Sequence, residues 1–220
     1  MNHNKTTDIW RGLVSDGTSI STSEELKTLA IEQGKDPIDS IRYLQREGYL
    51  KRIFRGVFYV VSANERATGK ANYTWYEMVA AGLEIRKAAP WYFGLESALK
   101  LNGMTHEFFN IDQVISGTLK TTKVIKVQGA PLRILKWSKD LFVPGSILSR
   151  STRHDVNILY SNKEKTILDL AYRRFLDGGS ERYVQGIVLS YRDQLRTDLM
   201  LDYMRSYPER FMTVLEDAYG

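Results

Sequence analysis

The chain contains no cysteine, and that single absence removes disulfide frameworks, thiolate metal sites and cysteine nucleophiles together. Only three histidines occur, His3, His106 and His154, too far apart in sequence for metal-ligand spacing. No glycine pattern opens a phosphate loop. No apolar run approaches the length that crosses a bilayer, and the opening MNHNKTTDIW is too polar for a secretory signal. These absences predict a cytoplasmic protein that works without a cofactor, a metal or a membrane partner.

What is present is enough for one good core or two smaller ones: 220 residues, 43% hydrophobic and 26% charged. The net charge of +5 is unevenly spread. Lys and Arg exceed Asp and Glu by one in residues 1–62 and by seven in 117–154, whereas the remaining segments are slightly acidic. Such asymmetry points to a polyanionic partner.

The N-terminal third reads as a winged helix-turn-helix over residues 1–62. A helix around Thr7 to Val14 carries Ile9, Trp10 and Leu13. Ser21 and Glu24 stand at capping-box spacing before Leu26, Leu29 and Ala30, and Gly34 is placed to end that helix. Asp36 then caps a helix with Pro37 at its first position, an apolar stripe of Ile38, Ile41 and Leu44, and a stop at Gly48. Two helices joined by a tight turn form the DNA-reading motif. Off the stripe lie Asp39, Ser40, Arg42, Tyr43, Gln45 and Arg46; Ser40, Arg42, Tyr43, Gln45 and Arg46 are the expected DNA contacts, Arg and Gln being suited to guanine and adenine edges. The run GYLKRIFRGVFYV gives two strands joined at Arg55-Gly56. Its cations Lys51, Arg52 and Arg55 are expected to meet phosphates. Charging an exposed edge strand, or solubilising a helix face, produces similar residues, so the order of elements carries the argument. Because residues 1–62 are almost neutral, binding to a duplex requires that Asp36, Asp39 and Glu47 point away from phosphates, or that Asp36 act only as a cap.

SANERATGKAN has linker composition, placing a boundary at 63–72 and a second domain at 73–220. Tyr73 to Ile85 is helical, PWYFGLESALKLNGM holds a further short helix, and 111–160 switches to short β-rich runs. Ser161 and Glu164 form another capping box before a helix lined by Ile167, Leu168, Ala171 and Phe175, and more helices finish the chain. The fold class is α+β: a winged helix followed by a mixed domain with a small sheet and C-terminal helices. Lys120, Lys123, Lys126, Arg133, Lys136, Lys139, Arg150 and Arg153, with only Asp140 among them, are expected to form one positive sheet face. Signs of catalysis are few. FGLESA resembles a nucleophile elbow with Glu96 in place of the serine, Ser97 being displaced by one. Glu77, Glu84 and Glu96 read as helix-face carboxylates, Asp169 as a polar position on a mostly buried helix, and Trp91, Tyr92 and Phe93 as core or pocket lining.

LQREGYLKRIFRGVFYV, PWYFGLESALKLNGM and NKEKTILDLAYRRF, in that order, resemble the AbiEi family of antitoxins from type IV toxin–antitoxin and abortive-infection systems, a likeness running from about residue 20 to 175. The resemblance implies a non-enzymatic repressor that binds inverted repeats of double-stranded DNA in its own promoter. Its second domain would counter a nucleotidyltransferase-like toxin without forming a stable complex, and the basic face would serve DNA binding or antitoxin action. A ligand-responsive regulator and, in a different class, a nuclease remain the alternatives.

Overall fold

A computed structural model describes the fold of residues 3–219, which divides into two compact units. Of the described residues, the first unit comprises 3–87 with 127–129 and 152–156, and the second holds the rest.

The first unit opens with α1 (His3–Ser15), a short strand β1 (Ile20–Thr22), α2 (Ser23–Glu32) and α3 (Pro37–Arg46). α2 is capped by Thr22 and Glu25, not by Ser21 and Glu24: the Thr22 side chain accepts from the Glu25 amide, and the Glu25 carboxylate accepts from the Thr22 amide at 2.8 Å. Ser21 sits in the middle of β1, paired with Phe58 and fully buried, and the helix starts one residue later, after Thr22 at the strand's end. Asp36 caps α3 as expected, accepting from the Asp39 amide at 2.8 Å. The buried edge of α3 runs through Ser40 and Leu44, an i, i+4 pair on one face, while Ile38 is 57% exposed. The apolar stripe is thus rotated from the expected Ile38–Ile41–Leu44 line.

A hairpin of β2 (Leu50–Phe54) and β3 (Val57–Val60) follows, with β3 central in the order β1-β3-β2. Its turn needs the left-handed conformation that Gly56 adopts at φ 78°. Strand alternation sends Leu50, Phe58 and Val60 into a core with Ile9, Leu13, Leu26, Ala30 and Leu44. The other face is covered by α5 (Trp75–Ile85), which approaches so closely at Gly82 that an added Cβ would stand 2.8 Å from the Phe54 ring. A bulge between Arg52 and Phe54 breaks the register. All four β3 residues are therefore buried.

Residues 63–72 are not the linker their composition suggests. Ser62 and Glu65 form a capping box that starts α4 (Ala63–Thr68). The Glu65 carboxylate, 4% exposed, accepts from the Tyr59 hydroxyl at 2.5 Å and from the amides of Ser62 at 2.7 Å and Asn72 at 2.6 Å. This segment is fastened to the hairpin, so the first unit runs on to Lys87, not to residue 62.

The second unit is built on a six-stranded mixed sheet: β4 (Trp91–Phe93), β5 (Asp112–Ser116), β6 (Ile125–Val127), β7 (Ala130–Lys136), β8 (Ile147–Ser151) and β9 (Asn157–Ser161), in the order β6-β7-β5-β4-β9-β8. β5/β7 and β4/β9 are parallel, and β4/β5 and β8/β9 antiparallel. Helices α6 (Leu95–Leu101), α7 (Lys163–Leu176), α8 (Glu181–Tyr191), α9 (Thr197–Met204) and α10 (Glu209–Tyr219) share an apolar core that includes Tyr92, Ile115, Ile167, Leu168 and Phe211. α7 is capped by Asn162, again one residue later than expected, because Ser161 ends β9. Inside this core Lys165 and Asp169 form a fully buried ion pair. Tyr92 donates to Asp169 at 2.8 Å, Tyr207 donates to Asp169 at 2.5 Å, and Lys165 donates to the Tyr207 oxygen at 2.8 Å. Burial pushes the Lys165 ammonium down and the Asp169 carboxyl up, and their mutual attraction opposes both shifts. The network is sealed from solvent and holds α7 to the sheet.

The approach of α5 to the hairpin predicts that Gly82→Ala, which forces Phe54 or Ile53 to move, lowers stability by about 1–3 kcal/mol. Gly12→Ala, in an exposed stretch of α1 with nothing within 4 Å, should instead be neutral or stabilising. Thermal melts of the two variants check this; equal effects would contradict the packing.

Candidate nucleic-acid interface

Between α2, α3 and the hairpin lies a groove of about 530 Å³. Its walls combine Lys27 of α2, Ile38, Arg42 and Gln45 of α3, Arg52 and Arg55 of the hairpin, and Arg86 just beyond α5; Glu24 is the one carboxylate among its lining residues. Five cations face one anion there, although residues 1–62 are nearly neutral. The concentration arises from folding. Asp36 and Asp39 stand at the α3 N-terminus, where the helix dipole favours negative charge; Asp39 also makes an exposed ion pair with Arg42 at 3.8 Å, and Glu47 receives the Arg46 guanidinium at 2.9 Å.

The expected DNA contacts divide. Arg42 and Gln45, with Arg52 and Arg55, converge on the groove. Ser40 does not: it is 4% exposed, because the core side of α3 passes through it. Tyr43 and Arg46 lie together on another side of the helix, with Arg46 over the Tyr43 ring at 5.5 Å and Tyr43 stacked on Tyr49 at 6.5 Å. Lys51 also leaves the set. It pairs with Tyr59 while Arg52 pairs with Phe58, so strand alternation puts the two cations on opposite faces of the sheet. Lys51 lines a separate hollow with Arg66 and Lys70. Lys27, Ile38 and Arg86 are the groove residues that the sequence did not disclose; Arg86 in particular comes from the segment read as a different domain.

Arg86 also fixes the turn, since its guanidinium donates to the Arg55 carbonyl at 3.1 Å. The free edge of β2 is met by Gln128, whose side-chain amide donates to the Arg52 carbonyl at 2.8 Å. At the other end of α5, Thr74 and Glu77 make a capping box, and Glu77 bonds His154 Nδ1 at 2.8 Å. Tyr73 stacks on His154 with centroids 4.2 Å apart, and Arg153 donates to the Asn72 carbonyl at 2.8 Å. Burial alone would raise the Glu77 carboxyl, but hydrogen bonds from the Thr74 amide, His154, Thr152 and the Thr74 hydroxyl outweigh it and hold the group at about 2.

The eight basic residues of the middle segment do not form one face. Lys120 and Lys123 lie in the loop before β6, Lys126 on β6, and Lys139 in a single 3₁₀ turn. Arg133 and Lys136, three apart on β7, project to opposite faces. Arg150 is on β8, at the edge opposite β6, with four strands between them and a span of roughly 24 Å. Arg153 belongs to the first unit. The strand order separates what the sequence clusters.

The residues weighed for catalysis are engaged in packing. Ser97 is fully buried, donating to Asp112 at 2.8 Å and accepting from the Gln113 amide at 2.7 Å. Glu96 bonds the Gln113 side chain, and Trp91, Tyr92 and Phe93 are core. The His3 side chain lies outside the described residues. Among the described residues no group of three or more His, Asp or Glu is placed to hold a metal ion, and no helix is long and apolar enough to cross a membrane.

No family model and no curated protein matches this chain. Among solved structures, the crystal structure of the RV2827C protein from Mycobacterium tuberculosis is similar, with a TM-score of 0.58 at 15% identity, covering 98% of this chain and 77% of that one. The likeness shows a shared α+β fold.

The low Glu77 value gives a pH prediction. A carboxyl depressed in the folded state from an ordinary 4.5 contributes stability that is complete above that value and is lost as pH falls toward 2. Glu77→Gln should therefore be costly at pH 7 and nearly free at pH 2, as read by urea denaturation across that range. A cost that does not change with pH would contradict the bonding described.

Proposed function

We propose that the first unit is a winged helix-turn-helix that binds double-stranded DNA sequence-specifically, and that the chain is a transcriptional repressor of its own promoter. The observation that carries this reading is the groove itself, with five cations and one carboxylate around the solvent-facing side of α3. An α-helix fits the major groove, where Arg42 meets guanine and Gln45 meets adenine. Lys27, Arg52, Arg55 and Arg86 flank the helix and neutralise phosphates on both sides, supplying affinity without sequence information.

The antitoxin role rests on the three motifs that resemble the AbiEi family. In this reading the second unit acts against a nucleotidyltransferase-like toxin without binding it stably, and the promoter target is a pair of inverted repeats. Repression and protection do not fall to fragments cut near residue 65, because α4 and α5 and the turns at 127–129 and 152–156 complete the first unit. The full chain is the proper material for testing both.

Fluorescence anisotropy with the DNA immediately upstream of the reading frame, against a scrambled duplex of equal length, tests the reading. Tighter binding to the upstream duplex is expected, with Arg42→Ala and Gln45→Ala each costing about 1–3 kcal/mol there and much less on the scramble. Arg52→Ala or Arg55→Ala should weaken both duplexes alike and lower the slope of log affinity against log salt by about one. Lys51→Ala should leave that slope unchanged. Equal affinity for the two duplexes would overturn the proposal.

A further inference from the structure

One residue of the groove is chemically out of place. Ile38, the second residue of α3, is 57% exposed in a helix whose other large apolar residues are turned inward or partly covered. It lies in the same groove as Ile41, Arg42 and Gln45, surrounded by the cations of α2 and the hairpin. A lone exposed isoleucine is unremarkable on most surfaces. Here its position matters. Residues 38, 42 and 45 follow the i, i+4, i+7 spacing of one helix face. At about 1.5 Å per residue they span roughly 10 Å, close to three base-pair steps of about 3.4 Å. The N-terminal residues of a recognition helix are the ones that reach base edges. Among the groups that face the major groove, the thymine C5-methyl is the apolar one, and aliphatic side chains contact it.

We propose that Ile38 is a specificity-determining residue that packs its branched side chain on the C5-methyl of a thymine, one or two base pairs from the guanine met by Arg42 and on the side away from the adenine met by Gln45. This inference rests on the duplex-binding reading and adds a base preference to it. An aliphatic contact selects thymine over cytosine and over uracil by desolvation alone, since Ile38 has no side-chain hydrogen-bonding group. It also accounts for an aliphatic residue left largely exposed among the cations of the groove.

The test uses the full chain and a duplex selected from a randomised pool by binding to it. Each thymine of the selected site is replaced singly by deoxyuridine, which deletes only the methyl, and affinities are measured for the natural chain and for Ile38→Ala. At one thymine the replacement should weaken the natural chain about three- to fivefold, the worth of one buried methyl-sized contact. Ile38→Ala should bind the thymine duplex with a similar loss and be indifferent to deoxyuridine at that position. That position should lie within two base pairs of the guanine at which Arg42→Ala loses discrimination. Because Ile38 is largely exposed, the variant should melt with the natural chain, and a binding loss is then assigned to the contact. A selected duplex at which no methyl matters, or a methyl effect that persists undiminished in Ile38→Ala, overturns the inference while leaving sequence-specific binding standing. Failure of any sequence to be selected overturns both.

Discussion

Burial of β3 on both faces is the constraint from which the rest of the first unit follows. A two-stranded ribbon alone is marginally stable in water, and packing against further elements is what fixes it. Here the helical core takes Phe58 and Val60 on one side, while α5, pressed close at Gly82, covers Phe54 and Ile53 on the other. What stays outside is the β2 edge and the turn, and these carry Arg52 and Arg55. Their position beside α3 is set by packing, which lowers the entropy lost when they meet an anion.

The same constraint explains why α4 and α5 belong to this unit. Glu65 is tied to Tyr59 on β3, so the segment after the hairpin cannot drift as a linker would. α5 is held at its N-terminus by the Thr74–Glu77 box and His154, and just past its C-terminus Arg86 bonds the hairpin turn at Arg55. One element thus braces the hairpin and contributes a cation to the groove. The hydrogen bonds that the Glu65 and Glu77 carboxylates accept keep both groups below their ordinary range in spite of burial, so the bracing is intact at neutral pH.

Much of this was legible in the sequence. The succession of α2 and α3, the Asp36-Pro37 start and the Arg55-Gly56 turn depend on local chemistry, and the α+β class followed from period changes along the chain. Caps were displaced by one residue at Ser21 and Ser161: Ser21 lies inside β1 and Ser161 at the end of β9, and in each case the polar residue that follows, Thr22 or Asn162, makes the cap. The linker was misread because polar composition does not reveal that Glu65 finds Tyr59. The basic segment was misread because sheet order is non-local: β7 and β8 follow each other in sequence with one 3₁₀ turn between them, yet three strands separate them in the sheet. Lys51 and Arg52 looked alike until register placed them on opposite faces. Arg86 and Lys27 carried no signal beyond ordinary helix-surface charge; only tertiary structure brings them to α3. Of the buried Lys165–Asp169 pair only Asp169 was legible, as a polar position on a mostly buried helix, because the tyrosines that complete the network come from β4 and from the segment between α9 and α10.

Taken together, a helix with Arg42, Gln45 and Ile38 outward, flanked by cations on braced supports, is an arrangement suited to reading a duplex. The most direct measurement is hydrogen–deuterium exchange of the full chain with and without the DNA upstream of its reading frame. The account predicts added protection in residues 37–46 and 50–57, with little change on the second unit's sheet. Protection confined to residues 117–150, or none at α3, would contradict it.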